Sequence, residues 1–329
     1  MRLLILGGTE FGGRAVAESA LVRGWDVTLL NRGQKPPPAG VTSLRGDRTA
    51  PDGLAALDGG EWDVVLDTWS GAPVVVRDSA RALAERARRY VYISSRSVYA
   101  YPAPAGLDEN GPVVADASPD AEEAQFPEAK RGGELAAEQV FGERALLVRP
   151  GLILGPHENI GRLPWWLSRI ARGGAVLAPG PRDLPLQYID VRDLAEWTLG
   201  AVERGLGGAY NLTGPSGHAT MGELLEACVR VVGSDARLRW LAPDAVLAAG
   251  LEPWVQLPVW IPRGESYDAL YQGNVSKALA TGLRCRPVEE TVADTWAWLK
   301  TLGGLPPGSP AHGLDPQLEA QVLAGMPSA

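Results

Sequence analysis

The residues best placed to do chemistry lie near the start of the chain, in the turn Gly7-Gly8-Thr9-Glu10-Phe11-Gly12-Gly13. An apolar run at 3–6 leads into this turn and a helical pattern follows it. A strand, a glycine-dense turn and a helix N-terminus together form a cradle for a dinucleotide pyrophosphate, because the first-turn amides aim at the anion. Gly7 lets the strand bend sharply, Gly8 lets backbone approach the phosphates, and Gly13 lets the helix lie close to the strand. Counted from Gly7, Glu10 replaces the middle glycine of a GxxGxxG spacing. The next strand pattern ends in Asn31-Arg32-Gly33, where a site selecting NAD(H) usually carries an acid for the ribose hydroxyls. A planar guanidinium suits a 2′-phosphate instead. NADP(H) is therefore expected ahead of NAD(H), which stays compatible with the cradle.

The elements that must position this turn are legible in the alternation of patterns. Strands are expected at 3–6, 26–30, 41–45, 62–67, 90–94 and 145–149, with helices such as 73–88 and 130–141 between them. Such alternation builds an α/β fold, a Rossmann doubly wound parallel sheet, with a smaller C-terminal substrate-binding region. Ligands bind such sheets outside the carboxyl ends of the strands. The segments 7–13, 46–48, 67–71, 94–97 and 150–155 all fall there. The expected division is a dinucleotide-binding domain at 1–156 and a mainly substrate-binding region at 157–329. Within the latter, a strand at 186–189, a helix at 191–203 and a strand at 209–212 make 186–214 return to the Rossmann body, as does the helix 288–302. Residues 303–329 read as a Pro-rich tail with one amphipathic helix.

Composition narrows the function classes. With 329 residues, 45% hydrophobic and 21% charged, the chain suits a full nucleotide-binding domain plus a second region. A formal net charge of −8 makes nucleic acid an unfavoured partner, since such binders displace phosphate counterions with a basic surface. Met1 leads directly into the first strand and no apolar run is long enough to span a bilayer. The expectation is a cytoplasmic protein with no membrane partner. Cys228 and Cys285 lack metal-ligand spacing, and His157, His218 and His312 are scattered, so no metal site is expected.

Further motifs carry a resemblance. Ser94-Ser95-Arg96-Ser97-Val98-Tyr99 follows a strand, and Lys130 lies in a later helix. With GDR at 46–48, RPGLILGPH at 149–157, YIDVRDLA at 188–195, NLTGP at 211–215 and TVADTWAWL at 291–299, the chain resembles the extended or atypical short-chain dehydrogenase/reductases, the NAD-dependent epimerase/dehydratase group. GGTEFGG, with a non-glycine at position 10, is similar to the atypical members, which include bacterial relatives of chloroplast stem-loop RNA-binding proteins. The resemblance implies that Ser95 orients a substrate oxygen and that Lys130 holds the nicotinamide ribose. It also implies a tyrosine four residues before Lys130, whose phenol exchanges the substrate proton while the ammonium lowers its pKa. Phe126 stands there, and phenylalanine has no proton to exchange. Loss of that acid should cost roughly 3–5 kcal/mol in a hydride-transfer barrier.

Three accounts are open at this level. Phe126 is an engineered exchange of a tyrosine that removes one oxygen and disables the enzyme; the chain is a natural variant whose proton comes from Tyr99, Tyr101, Tyr188 or the Lys130 ammonium; or the protein binds coenzyme without redox chemistry. The resemblance further implies cofactor contacts by Asp47 at the adenine amine, Arg48 at a 2′-phosphate, the stretch Asp67-Thr68-Trp69 at ribose and pyrophosphate, and Pro150 and Leu152 beside the nicotinamide. A homodimer through two long helices is the family-based expectation.

The tally of eleven tryptophans against three phenylalanines suggests aromatic rings at a substrate pocket. Trp165, Trp254 and Trp260 are expected at its mouth, in irregular Pro-rich segments, with Ser97, Tyr99, Gln187, Arg162 and His157 as polar candidates. The expected activity is hydride transfer between nicotinamide and a carbonyl or carbinol carbon of a small molecule, by a reductase, epimerase or dehydratase. The alternative is a non-catalytic NADP(H) sensor or an RNA-binding relative.

Overall fold

A computed structural model describes residues 1–305 and 313–326 of the chain. His312 and the ends of the expected tail lie outside those residues. The first half alternates as expected: β1 (Arg2–Leu6), α1 (Phe11–Val22), β2 (Asp26–Asn31), β3 (Thr42–Arg45), β4 (Trp62–Asp67), α2 (Pro73–Leu83), β5 (Ala87–Ile93), α3 (Phe126–Phe141) and β6 (Ala145–Pro150). With the strand Gly208–Leu212 these form a seven-stranded sheet. Its order runs Gly208–Leu212, β6, β5, β4, β1, β2, β3, and every pairing is parallel. The order reverses between β1 and β4, which opens a crevice at the carboxyl ends of those two strands.

Strand alternation sorts the core onto two faces. Leu4, Leu6, Val65, Tyr90, Tyr92 and Leu147 pack in one cluster with Val76, Ala80 and Leu83 of α2 and with Ala136, Ala137 and Phe141 of α3. On the β1 and β2 residues between these, Ile5 and Leu29 lie against Gly8 at the start of the α1 turn. The helix Val191–Glu203 packs on α1, as α2 packs on α3. Both sheet faces are thus covered, which explains the near-continuous apolar strands.

Several boundaries differ from expectation. Helix α2 stops at Leu83 rather than 88 because Ala87 already pairs with Trp62, and the Trp62 amide donates to Arg86 O at 2.8 Å. Helix α3 begins at Phe126, four residues early, with Pro127 in its first turn, where a missing amide costs nothing. The expected strand 186–189 is two short pieces, Pro185–Leu186 and Tyr188–Asp190.

The chain divides into two compact units: 1–153 with 191–213 and 273–284, and 154–190 with 214–272 and 285–329. Of the expected return of 186–214, residues 191–213 lie in the sheet-bearing unit, while 186–190 and 214 lie in the other. Helix Val288–Leu302 does not return to the sheet-bearing unit: it packs on Met221–Val232 and on α4 (Arg162–Ala171) within the second unit, correcting its expected place on the Rossmann body. Its buried stripe of Val288, Thr291, Val292, Thr295 and Leu299 is covered there. Within the described tail, Pro316–Ala324 is helical, and Glu319 of that helix pairs with Arg169 at 2.5 Å. No helix among the described residues is long and apolar enough to cross a membrane.

Candidate active site

The turn after β1 has the geometry its glycines require. Gly7 takes φ +116° and Gly8 +88°, both in the left-handed half of the map where a side chain is strained. A Cβ on Gly7 would collide with Thr68 Oγ1, and one on Gly8 would lie 2.7 Å from a Leu29 methyl. Thr68 holds the turn from the end of β4 by donating its hydroxyl to Leu6 O at 3.0 Å. Gly13 is a packing requirement: its Cβ would sit 2.9 Å from Gly8 Cα, so only glycine seats α1 so close to the turn. Gly12 faces the other way, with nothing within 4 Å of a Cβ.

Glu10 is the N-cap of α1, yet its carboxylate does not cap the helix and pairs with Lys35. The first turn contains no acidic residue either. Its amides therefore face outward with no N-cap side chain as acceptor, the arrangement that draws an anion. Thr9 is half-buried in the turn. Phe11 takes φ +33° and buries its ring, so it offers backbone to this site and spends its side chain on the core. Strain at a non-glycine residue in such a loop is held by the surrounding packing.

The residues beyond β2 and β3 divide into exposed and locked groups. Arg32 is exposed, and its charge reaches the Asp47 carboxylate. Asn31 is committed to the turn, accepting from Gly33 N at 2.8 Å and donating to Ser43 Oγ at 3.0 Å. Asp47 accepts from the Thr49 hydroxyl at 2.7 Å and amide at 3.0 Å, which hold its carboxyl below its ordinary value.

Arg48 corrects an expectation. Its guanidinium grips Asp67 with two bonds of 2.8 Å and donates to Ser79 Oγ at 3.0 Å, so it is unavailable to a 2′-phosphate. Asp67 is likewise structural: it is fully buried and also accepts from Tyr90 OH at 2.6 Å and Trp69 N at 2.8 Å. Burial opposes its ionisation, but the Arg48 guanidinium and these donors outweigh that and keep the carboxyl below its ordinary value.

At the ends of β4 and β5 the structure brings Lys130, Phe126, Trp69 and the 93–97 loop together. Lys130 is buried in α3 and donates Nζ to Trp69 O at 2.6 Å and to Ile93 O at 2.7 Å. Two of its three N–H groups are thereby used, which leaves one for a ligand oxygen. Burial pushes its pKa down to about 8, with Asp67 and Glu134 resisting. Tyr92 donates to the same Trp69 carbonyl at 3.1 Å, a contact not foreseen from sequence.

Two residues beyond Ile93, Ser95 begins a short helical turn, its Oγ accepting from Ser97 N at 3.0 Å and lying 3.1 Å from Ser97 Oγ. Ser97 is exposed beside it. The Phe126 ring centroid is 6.0 Å from Lys130 Nζ, and the residue is 49% exposed. An apolar ring left this open on the first turn of α3 contributes little to the core. Pro150 ends β6 and Leu152 follows it, both buried.

Tyr99 is not brought into this group. Its hydroxyl donates to Asn211 Oδ1 at 2.7 Å and accepts from Arg149 at 3.1 Å, in a buried network that runs through Arg149 to Glu134. Burial pushes its pKa up, so it is neither a substrate contact nor an accessible proton donor.

In the second unit the expected aromatic mouth is mostly core. Trp260 is fully buried and donates its indole to Gly180 O at 2.8 Å. Trp165 lies on α4 rather than in an irregular segment, edge-on to Trp166 with centroids 4.6 Å apart. Gln187 is fully buried, and His157 stacks 5.2 Å from Trp298. Trp254 alone of the three tryptophans keeps partial exposure and an irregular setting. The Arg162 guanidinium lies over its ring at 4.8 Å. Glu158, overlooked in the sequence, caps α4 from within: it accepts from Arg162 N at 2.7 Å and Leu163 N at 3.2 Å.

Comparison with known proteins fits this geometry. Residues 66–213, which contain Ser95, Phe126 and Lys130, match the NAD dependent epimerase/dehydratase family. The chloroplast stem-loop binding protein of 41 kDa b from Arabidopsis thaliana is 26% identical over 254 residues, 70% of this chain and 63% of that relative. The match therefore spans less than two thirds of the relative's length. Among solved structures, the Bordetella bronchiseptica enzyme WbmG in complex with NAD and UDP superposes with a TM-score of 0.67 at 18% identity, covering 92% of this chain and 96% of that one. UDP-glucuronic acid 4-epimerase from Bacillus cereus in complex with NAD gives 0.65 at 16% identity, covering 92% and 97%. These likenesses show a shared fold along nearly the whole chain.

Proposed function

We propose that this protein binds a nicotinamide dinucleotide at the turn 7–13 and exchanges hydride with a carbonyl or carbinol carbon of a small molecule, with NADP(H) preferred through Arg32. The observation that carries this reading is the turn itself: Gly7, Gly8 and Gly13 admit no Cβ, Gly12 faces open space, and the α1 amides have no N-cap carboxylate. Those residues fit a pyrophosphate. A bound coenzyme would supply the hydride donor or acceptor at its nicotinamide carbon.

The chain's own residues do the rest. Ser95 would orient a substrate oxygen by turning to it the hydroxyl that it otherwise donates to Ser97 Oγ. Lys130, fixed by Trp69 O and Ile93 O, keeps one N–H for a ribose or substrate oxygen. Phe126 can neither give nor take a proton. With Tyr99 locked to Asn211, the proton source in this cluster is the Lys130 ammonium, directly or through water. Its pKa of about 8 leaves that proton exchangeable near neutrality. Turnover should be slow, because a positioned phenol contributes roughly 10²- to 10⁴-fold.

A second reading, coenzyme binding without turnover, is favoured by Phe126 and by the likeness to a stem-loop binding protein. The formal charge of −8 opposes its RNA version. One experiment separates the two: NADPH oxidation is followed against a panel of carbonyl compounds for the natural chain and for Phe126→Tyr. Slow oxidation in the natural chain supports the enzyme. Tight coenzyme binding with no oxidation by either form assigns the protein to the second reading.

A further inference from the structure

The second unit contains a cation with an unfilled role. Arg162 opens the ten-residue helix α4 and is half-buried. Its Nε is closed off from solvent and has no hydrogen-bond partner among the described residues. Burial pulls its pKa down, with Glu158 and Tyr271 resisting. An Nε–H removed from water without an acceptor is costly, and such groups are uncommon in folded proteins.

Its neighbours do not relieve it. Glu158 is near in charge, but its two oxygens are spent on the Arg162 and Leu163 amides, and burial pushes its carboxyl up to about 7. Tyr271 gives its hydroxyl to Val259 O. Trp254 supplies a ring face 4.8 Å from the guanidinium carbon, a contact that gives the cation a neighbour but no hydrogen-bond acceptor. Trp254 and Val259 hold φ of +67° and +72°, strained values for residues with a Cβ. Backbone strain of this kind persists where surrounding structure enforces it, often at ligand clamps.

We propose that Arg162, set over the Trp254 ring, is an oxyanion-binding group that recognises a carboxylate or phosphate on a small-molecule ligand. A planar fork of donors matches either group bidentately. Only the naming of that ligand as the substrate rests on the function proposed above. The helix N-terminus is not the site, since Glu158 already occupies its amides.

The test titrates the whole chain, without coenzyme, with sodium phosphate and with sodium succinate at constant ionic strength against sodium chloride, reading heat and Tm. Saturable binding of either probe is expected, and which one binds tells phosphate from carboxylate. Arg162→Gln should weaken that binding roughly 10- to 100-fold. Its Tm in chloride should be unchanged or higher, because a buried Nε–H without an acceptor has been removed. If that variant does not fold, Arg162→Lys decides, as lysine keeps the charge without the planar fork: about tenfold weaker binding supports the proposal, and natural affinity overturns it. It is also overturned if the natural chain binds neither probe, if Arg162→Gln binds as the natural chain does, or if Arg162→Gln folds with a markedly lower Tm. Because coenzyme is absent, a failure here leaves the reading of the turn 7–13 standing.

Discussion

At the scale of single residues, the proposed chemistry turns on one missing oxygen. Phe126 stands where a phenol would meet Lys130, and its ring is too exposed for the substitution to be explained by packing. Phe126→Tyr should raise carbonyl reduction by roughly 10²- to 10⁴-fold with coenzyme affinity little changed. Equal rates for both forms would show that position 126 is outside the proton path. On the proposed reading Arg32 carries the NADP(H) preference, since Arg48 is locked to Asp67 and Lys35 is paired with Glu10. Arg32→Ala should weaken NADPH binding about tenfold or more and leave NADH binding unchanged. Parallel loss of both would place the arginine elsewhere. The sequence showed these residue types but not their commitments. Arg48 and Tyr99 read as site residues because sequence places them beside strand ends, while their burial against Asp67 and Asn211 depends on partners at 67 and 211 that no local pattern reveals.

At the scale of elements, the crevice depends on β4 ending in a fixed shape. Asp67 gathers Arg48, Tyr90 and the Trp69 amide, and Trp69 then presents the carbonyl that holds Lys130. Asp67→Asn would strand a buried guanidinium, so about 3–5 kcal/mol of stability should be lost, read as a lowered denaturation midpoint. A loss under about 1 kcal/mol would show that the pair is incidental. The parallel strands and α1 were readable from periodicity and glycine placement, since both follow from local sterics. The early start of α3 and the early end of α2 were not. The first turned on Gln125 staying extended ahead of Phe126, the second on Ala87 pairing across to Trp62.

At the scale of the whole molecule, the two units arise from a chain that crosses between them several times. The return of 191–213 to the sheet was legible because its helix and strand continue the alternation. The place of Val288–Leu302 was not, because an amphipathic stripe states that a helix is covered without stating by what. In the second unit, Glu158 should make stability pH-dependent. Its folded pKa of about 7 lies above the ordinary 4.5, so its contribution is full below about 4.5 and is lost as pH rises toward 7. The stability advantage of Glu158→Gln over the natural chain, read from denaturant midpoints, should therefore grow across that window, approaching about 3 kcal/mol. A difference that stays flat would contradict the buried, raised carboxyl.

The central claim, that the turn 7–13 grips a nicotinamide dinucleotide, is tested most directly by calorimetric titration of the purified chain with NADPH and NADH, beside Gly8→Val as the blocked control. The account predicts one saturable site per chain, tighter for NADPH, and abolished in Gly8→Val. Absence of binding by either coenzyme, or undiminished binding in the variant, would contradict it.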